Sequence, residues 1–268
     1  MKDTAKTTST ALLIGLGGAT GAALVGLPAA GLIGSSVAVA CAATLGLRLT
    51  MPQRLRDVAF GIIGISLGAG VQADALAQVG SWSVSLFLLT LSLVATLLIG
   101  AALLRRGFGM DAETAFLASS PGTMSNAIAI ALDGHGNVTT ITILQVMRLL
   151  VLVAVVPPLA SALDADTGGI AYPAAMNAAA LILLLVATLC IGLPAARFKV
   201  PAACLLVGMI LSAVAHVADL AHGPAPSWAI FAAFVVTGTA VGTRLTSISP
   251  RALLALGRPG AALIATNL

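Results

Sequence analysis

Polar residues interrupt this chain only briefly, between apolar runs of 15 to 23 positions with no period-2 alternation. Runs of this length match the roughly 20 residues a helix needs to cross hydrocarbon. The pattern predicts helical spans at Ala11–Val25, Pro28–Leu47, Leu55–Val71, Trp82–Leu104, Val138–Leu159, Ala175–Ala195, Val200–Ala218 and Ser227–Arg244. A further segment, Asp111–Leu132, is broken at Pro121-Gly122, and a last run begins near Pro259 and continues to Leu268. The expected fold class is all-α, a polytopic transmembrane helix bundle.

Composition strengthens this reading. Only 8% of residues are charged, and the mean hydropathy is +1.08. A water-soluble domain covers itself with about a quarter charged residues, so the lipid bilayer is the partner that composition demands. The net charge of +4 comes from Lys and Arg placed singly or in pairs between spans. That arrangement orients helices in membranes and offers no patch for nucleic acid. Cys41, Cys190 and Cys204 each lie inside an apolar run, without paired spacing, and read as packing residues. Lys2 and Lys6 precede the first run as in a signal peptide, but no cleavage pattern follows. Residues 1–10 are expected to be a cytoplasmic tail before a retained helix, in a multi-pass protein of a bacterial inner membrane.

The chain repeats itself. Leu27-Pro28-Ala29-Ala30 returns as Val200-Pro201-Ala202-Ala203, 173 positions on. Pro52 returns as Pro226 and Gly64–Gly68 as Gly238–Gly242, both 174 on, and Ala75–Gly80 returns as Ala252–Gly257 at 177. Two membrane repeats are expected, at 11–165 and 170–268, the second incomplete as in a truncated chain or fragment. Arg48, Arg54 and Arg56 flank a connection whose counterpart, Asp219–Pro226, has no Lys or Arg; Arg244, Arg251 and Arg258 answer a stretch holding only Asp74. The basic connections change sides, which predicts halves of opposite topology. Six segments in the first half then require one that does not cross. The segment broken at Pro121 is the best candidate; a wrongly divided first span is the competing account.

That break also concentrates the candidate chemistry. Pro removes a backbone donor and Gly weakens a helix, so Ser119, Ser120, Gly122, Thr123, Ser125 and Asn126 are candidate ligands for a solute or ion. The bland alternative is a kinked helix whose hydroxyls bond back to it. Arg148, with Gln145 one turn earlier, sits in mid-span, where a charge is costly and by default functional. Its alternative role is to cap carbonyls of the broken segment. Asp133, His135 and Asn137 read as a Gly-rich turn. His135, His216 and His222 have no metal-ligand spacing, and neither a P-loop nor a Gly-x-Ser-x-Gly occurs. No metal, cofactor or enzymatic activity is expected.

Pro52–Arg56, Ile62–Gly68, Phe116-Leu-Ala-Ser-Ser-Pro-Gly122 and Leu144-Gln-Val-Met-Arg148 together resemble the AbrB family of bacterial membrane proteins, across nearly the whole chain. The resemblance implies a duplicated membrane domain. Thr123 and Asn126 stand where the family pattern has a Gly and an acidic residue, which counts against coupling through that carboxylate. The Ser-Pro-Gly-x-x-Ser-Asn run is also similar to the crossing-helix motif of bile acid/sodium symporters, implying by analogy a fold of the cation/proton antiporter type. Family members carry labels as gene-expression regulators and as ammonia monooxygenases. The residues here supply neither a DNA-reading element nor metal ligands. The expected function is secondary transport of a small solute or ion, with a membrane-embedded regulator acting indirectly on gene expression as the alternative. A second copy of the chain is a candidate partner.

Overall fold

The structure, a computed structural model, describes residues 2–71, 82–120, 124–163, 175–198, 200–247 and 255–266. Among them are eleven α-helices and no strand. In chain order they are α1 (Lys2–Leu24), α2 (Ala30–Thr44), α3 (Gln53–Gly68), α4 (Trp82–Phe108), α5 (Ala112–Ser119), α6 (Met124–Leu132), α7 (Val138–Leu163), α8 (Ala178–Arg197), α9 (Ala203–Val217), α10 (Ser227–Gly242) and α11 (Gly257–Ala265), with a 3-10 turn at Thr243–Ser247. Five are long and apolar enough to cross a membrane: α1 from Ala5, α4, α7, α8, and α10 with the turn after it. Leu86, Phe87, Leu88, Leu89 and Leu91 are all exposed on α4, although successive helical residues point in different directions. Apolar surface on every side of a helix is stable in lipid and not in water.

One boundary differs from the sequence expectation. Helix α1 begins at Lys2 and takes in nearly all of the expected tail. The hydroxyls of Ser9 and Thr10 donate back to the carbonyls of Ala5 and Lys6, and Thr7 bonds Thr50 at 2.7 Å. Local hydrogen bonds of this kind let a polar Ser/Thr run continue a helix.

The chain forms two compact units. The first comprises residues 1–77 and 156–243, so it contains α1–α3 and α8–α10. Its two helix triplets end at Leu24 and Arg197, Thr44 and Val217, Gly68 and Gly242, spacings of 173, 173 and 174. Ala29 and Ala202, before α2 and α9, both hold left-handed backbone at φ 49° and 48°. Each follows a proline and costs about 1–2 kcal/mol of steric strain. The packing is reciprocal. A Cβ on Gly64 or Gly68 of α3 would strike the carbonyls of Leu205 or Met209 on α9. A Cβ on Gly238 or Gly242 of α10 would strike those of Leu32 or Ser36 on α2. Leu32 and Leu205 are 173 apart, as are Ser36 and Met209. Small residues bring these backbones together where no hydrophobic effect operates between helices in lipid.

The contacts also fix directions. Along α2 and α10, Gly31 meets Phe231, Leu32 meets Gly238 and Ser36 meets Gly242, so the two run parallel; α3 and α9 run parallel by the equivalent contacts. Ile62 and Ile65, late in α3, pack with Ala229 and Ile230, early in α10.

The second unit, 78–155 and 244–268, contains α4–α6, most of α7, and α11. Leu104, Leu117, Ala127, Ile141, Leu144 and Leu263 draw its five helices into one core.

Gly64→Ala and Gly238→Ala are each expected to lower thermal stability in detergent, by about 1–3 kcal/mol, because the added methyl meets backbone. Gly17→Ala, where nothing lies within 4 Å, is expected to raise it by about 0.5–1 kcal/mol. Equal melting temperatures across the three variants would refute the packing argument.

Candidate functional site

Helices α5 and α6 have eight and nine residues, too short to span a bilayer. A continuous helix over 112–132 would part its ends by about 30 Å. Instead the chain turns back on itself. The amide of Asn137, just past α6, donates to Thr114 Oγ1 in the first turn of α5 at 2.7 Å. His135 Nδ1 lies 3.2 Å from Glu113 Oε1, and Gly136 lies so close to Thr114 that a Cβ there would sit 2.9 Å from its hydroxyl. The two short helices form a hairpin closed at its base. Helix α5 ends at Ser119, Ser120 is non-helical at φ −59° and ψ 124°, and α6 begins at Met124, while the expected break at Pro121-Gly122 itself lies outside the described residues.

Capping residues start α5 and α7. The Asp111 carboxylate accepts the Thr114 amide at 2.8 Å, and Asn137 Oδ1 accepts the Thr140 amide at 3.0 Å. These satisfy donors that a helix N-terminus leaves free. The Thr114 hydrogen bond holds the Asp111 carboxyl below its usual range.

At the other end of α5 the last carbonyls also lack helical partners. Helix α7 supplies them. Gln145 Nε2 donates to the Leu117 carbonyl at 2.8 Å; Arg148 Nη1 and Nη2 donate to those of Ser119 and Ser120, each at 3.1 Å. Gln145 and Arg148 are buried, as is Ser119. Of the expected site residues, the structure joins Ser119 and Ser120 to Arg148 by direct bonds and ties Gln145 to Leu117 of α5. Gly122 and Thr123, like Pro121, lie outside the described residues. Ser125 and Asn126 fall in the first turn of α6, and their side chains are likewise outside the description.

Ser119 Oγ is enclosed at 1% residue exposure and has no hydrogen-bond partner among the described residues. It lies against Gly100 of α4, where a Cβ would come within 3.1 Å of it and 2.9 Å of Leu263. The residues that close the hairpin, Asp111, Glu113, Thr114 and His135, were not in the expected site. The capping signals Asp111-x-x-Thr114 and Asn137-x-x-Thr140 were present in the sequence, but their joining across 23 residues was not. The described residues include no cluster of three or more His, Cys, Asp or Glu that could hold a metal.

A family profile described as "Transition state regulatory protein AbrB" matches residues 31–268. The chain belongs to the AbrB family. It is similar to the protein named "Putative regulator AbrB" of Escherichia coli (strain K12), with 23% identity over 226 residues. The alignment covers 81% of this AbrB-family chain and 64% of the relative, so the chain spans less than two thirds of that protein's length. No solved structure matches.

Thr114→Val keeps the shape but removes the acceptor of the Asn137 amide. It is expected to destabilise the protein by about 1–3 kcal/mol. Asp111→Ala is expected to cost about 1 kcal/mol at neutral pH. Because folding lowers the Asp111 pKa, its contribution is complete above the unfolded-state value and is lost as pH falls through the folded one. The melting difference between wild type and Asp111→Ala should therefore vanish in acid; a gap that persists there would refute the cap.

Proposed function

We propose that this AbrB-family protein is a secondary transporter of the inner membrane, with inverted repeats and a solute site at the tip of the α5–α6 hairpin. The observation that carries the reading is the closure of Thr114 on Asn137. A hairpin that returns to its starting side adds no crossing. With α1–α4 and α7 each crossing once, α8 enters from the side opposite to α1. This order makes α9 parallel to α3 and α10 parallel to α2, in agreement with the glycine contacts of the first unit.

The same order sorts the charges. Lys2 and Lys6, Arg48 to Arg56, Arg105 and Arg106, Arg197 and Lys199, and Arg244 to Arg258 all fall on one side, which the positive-inside rule makes cytoplasmic. Of the thirteen Lys and Arg residues, Arg148 alone falls within the membrane. The connections on the far side carry Asp74, Asp164, Asp166 and Asp219 and no Lys or Arg. A hairpin that crossed would divide the basic residues between both sides.

Inverted repeats with interrupted helices are the architecture of many secondary transporters, in which half-helix ends and freed backbone groups meet the solute near the midplane. The fold alone does not name an activity; the site argument rests on buried polar groups that lipid would otherwise penalise. The names of the family and of the E. coli relative favour a second reading, a membrane-embedded regulator. Such an effect on gene expression would be indirect, for example through the level of the solute moved.

Single cysteines at Arg54, Glu113 and Asp219, labelled with an impermeant reagent in oriented vesicles, test the topology. Arg54 and Glu113 are expected on the cytoplasmic side and Asp219 on the other. Finding Arg54 and Asp219 on one side would end the inverted reading. Flux of a labelled solute panel in proteoliposomes tests transport itself.

A further inference from the structure

We propose that one end of the first unit, where the start of α1 meets the α2–α3 connection, is a docking surface for an anionic phospholipid. The lipid phosphate meets Lys6, Arg48 and Arg54, and the acyl chains lie on exposed leucines beside them. The proposal does not depend on the transport reading. One hydrogen bond assembles the surface. Thr7 Oγ1 and Thr50 Oγ1 lie 2.7 Å apart, and Leu49, next to Thr50, is buried with Ala11, Val39 and Ala42. The α2–α3 connection is thus held against α1. Lys6 adjoins Thr7, and Arg48 and Arg54 are two and four residues from Thr50. All three backbones therefore lie within about 15 Å of Thr50, and long side chains extend from each.

Lys6, Arg48 and Arg54 are exposed, and none is paired with a carboxylate among the described residues. Arg56 is held differently. Its guanidinium lies 5.9 Å over the Phe60 ring, its Nε is enclosed, and the charge of Asp57 opposes its own. The side chains of Lys2 and Asp3 lie outside the described residues. Charges that only orient helices need no fixed arrangement; the Thr7–Thr50 bond fixes one here. Nor does the packing shared by the two helix triplets require them, since the repeated connection, between α9 and α10, carries Asp219 and no Lys or Arg. Clustered cations beside a bilayer attract anionic headgroups. Leu45, Leu47 and Leu55 are exposed in the same stretch. They separate a lipid from a free phosphate: a soluble anion uses the charges alone, whereas a phospholipid also covers the leucines.

The test uses the full chain purified in a non-ionic detergent, so the result depends neither on topology nor on transport. Melting temperature is followed against phosphatidylglycerol, phosphatidylcholine with the same acyl chains, and inorganic phosphate. Phosphatidylglycerol is expected to raise it saturably, with an affinity that falls as sodium chloride is added; the other two are expected to do so far less. The triple variant Lys6→Gln, Arg48→Gln, Arg54→Gln is expected to weaken phosphatidylglycerol binding by at least about tenfold, and each single Arg→Gln change by about fivefold. Arg105→Gln with Arg106→Gln removes two exposed charges at the end of α4 and is expected to leave that binding nearly unchanged. Equal stabilisation by phosphatidylcholine would overturn the proposal by showing that acyl chains suffice. Equal stabilisation by inorganic phosphate would overturn it in favour of a free anion. An equal loss in the Arg105/Arg106 variant would also overturn it, since net charge alone would then explain the binding. The single variants Arg48→Gln and Arg54→Gln decide the matter should the triple variant not fold.

Discussion

A backbone that stops being helical inside hydrocarbon must find hydrogen-bond partners within the protein, and the site described here follows from how this chain meets that demand. Each unpaired backbone group costs several kcal/mol in lipid. Helix α5 ends after eight residues, and its last carbonyls are met by Gln145 and Arg148 from α7. The partner for a broken helix is thus a charged side chain that the bilayer would otherwise reject. The two costs offset each other: removing either the break or the arginine would leave the other unsupported. At the hairpin base, where water is close, the joining groups are ordinary surface chemistry: a carboxylate, a histidine, an amide and a hydroxyl.

The first unit solves a different problem. Its helices carry few polar groups and must associate without a hydrophobic driving force. Glycines at matched positions of α3 and α10 press onto carbonyls of α9 and α2, so close approach of backbone replaces burial as the source of specificity. Ser212 on α9 adds a bond to the Ile65 carbonyl at 2.7 Å. The pairing is reciprocal because the sequence is repeated: Leu32 and Leu205 meet their glycines in the same way. His216 breaks the equivalence, with its ring nitrogens 2.7 and 3.1 Å from the carbonyls of Ser212 and Gly223, whereas Ala43 stands at the matching position of the first repeat.

Much of this was legible in the sequence. Long apolar runs with few charges leave helix and lipid as the only economical combination, and the matched Pro-Ala and Gly-x-x-x-Gly anchors located the helix starts and close contacts at Pro28, Pro201, Gly64 and Gly238. Pro121-Gly122 pointed to an interruption, since both residues act on the backbone locally, and α5 ends at Ser119, just before them. Arg148 was conspicuous because its insertion cost is a property of the residue itself. What the tertiary structure alone decided was which groups meet. Whether Arg148 faces a solute path or caps carbonyls depends on the angle at which α7 passes α5. The return of Asn137 to Thr114 closes a loop over 23 residues, and no local signal encodes that closure. Capping signals fix where a helix begins, and hydropathy fixes what surrounds it. The direction in which a short helix comes back is set by packing among Leu117, Ala127 and Leu144, residues that read in sequence as interchangeable apolar positions.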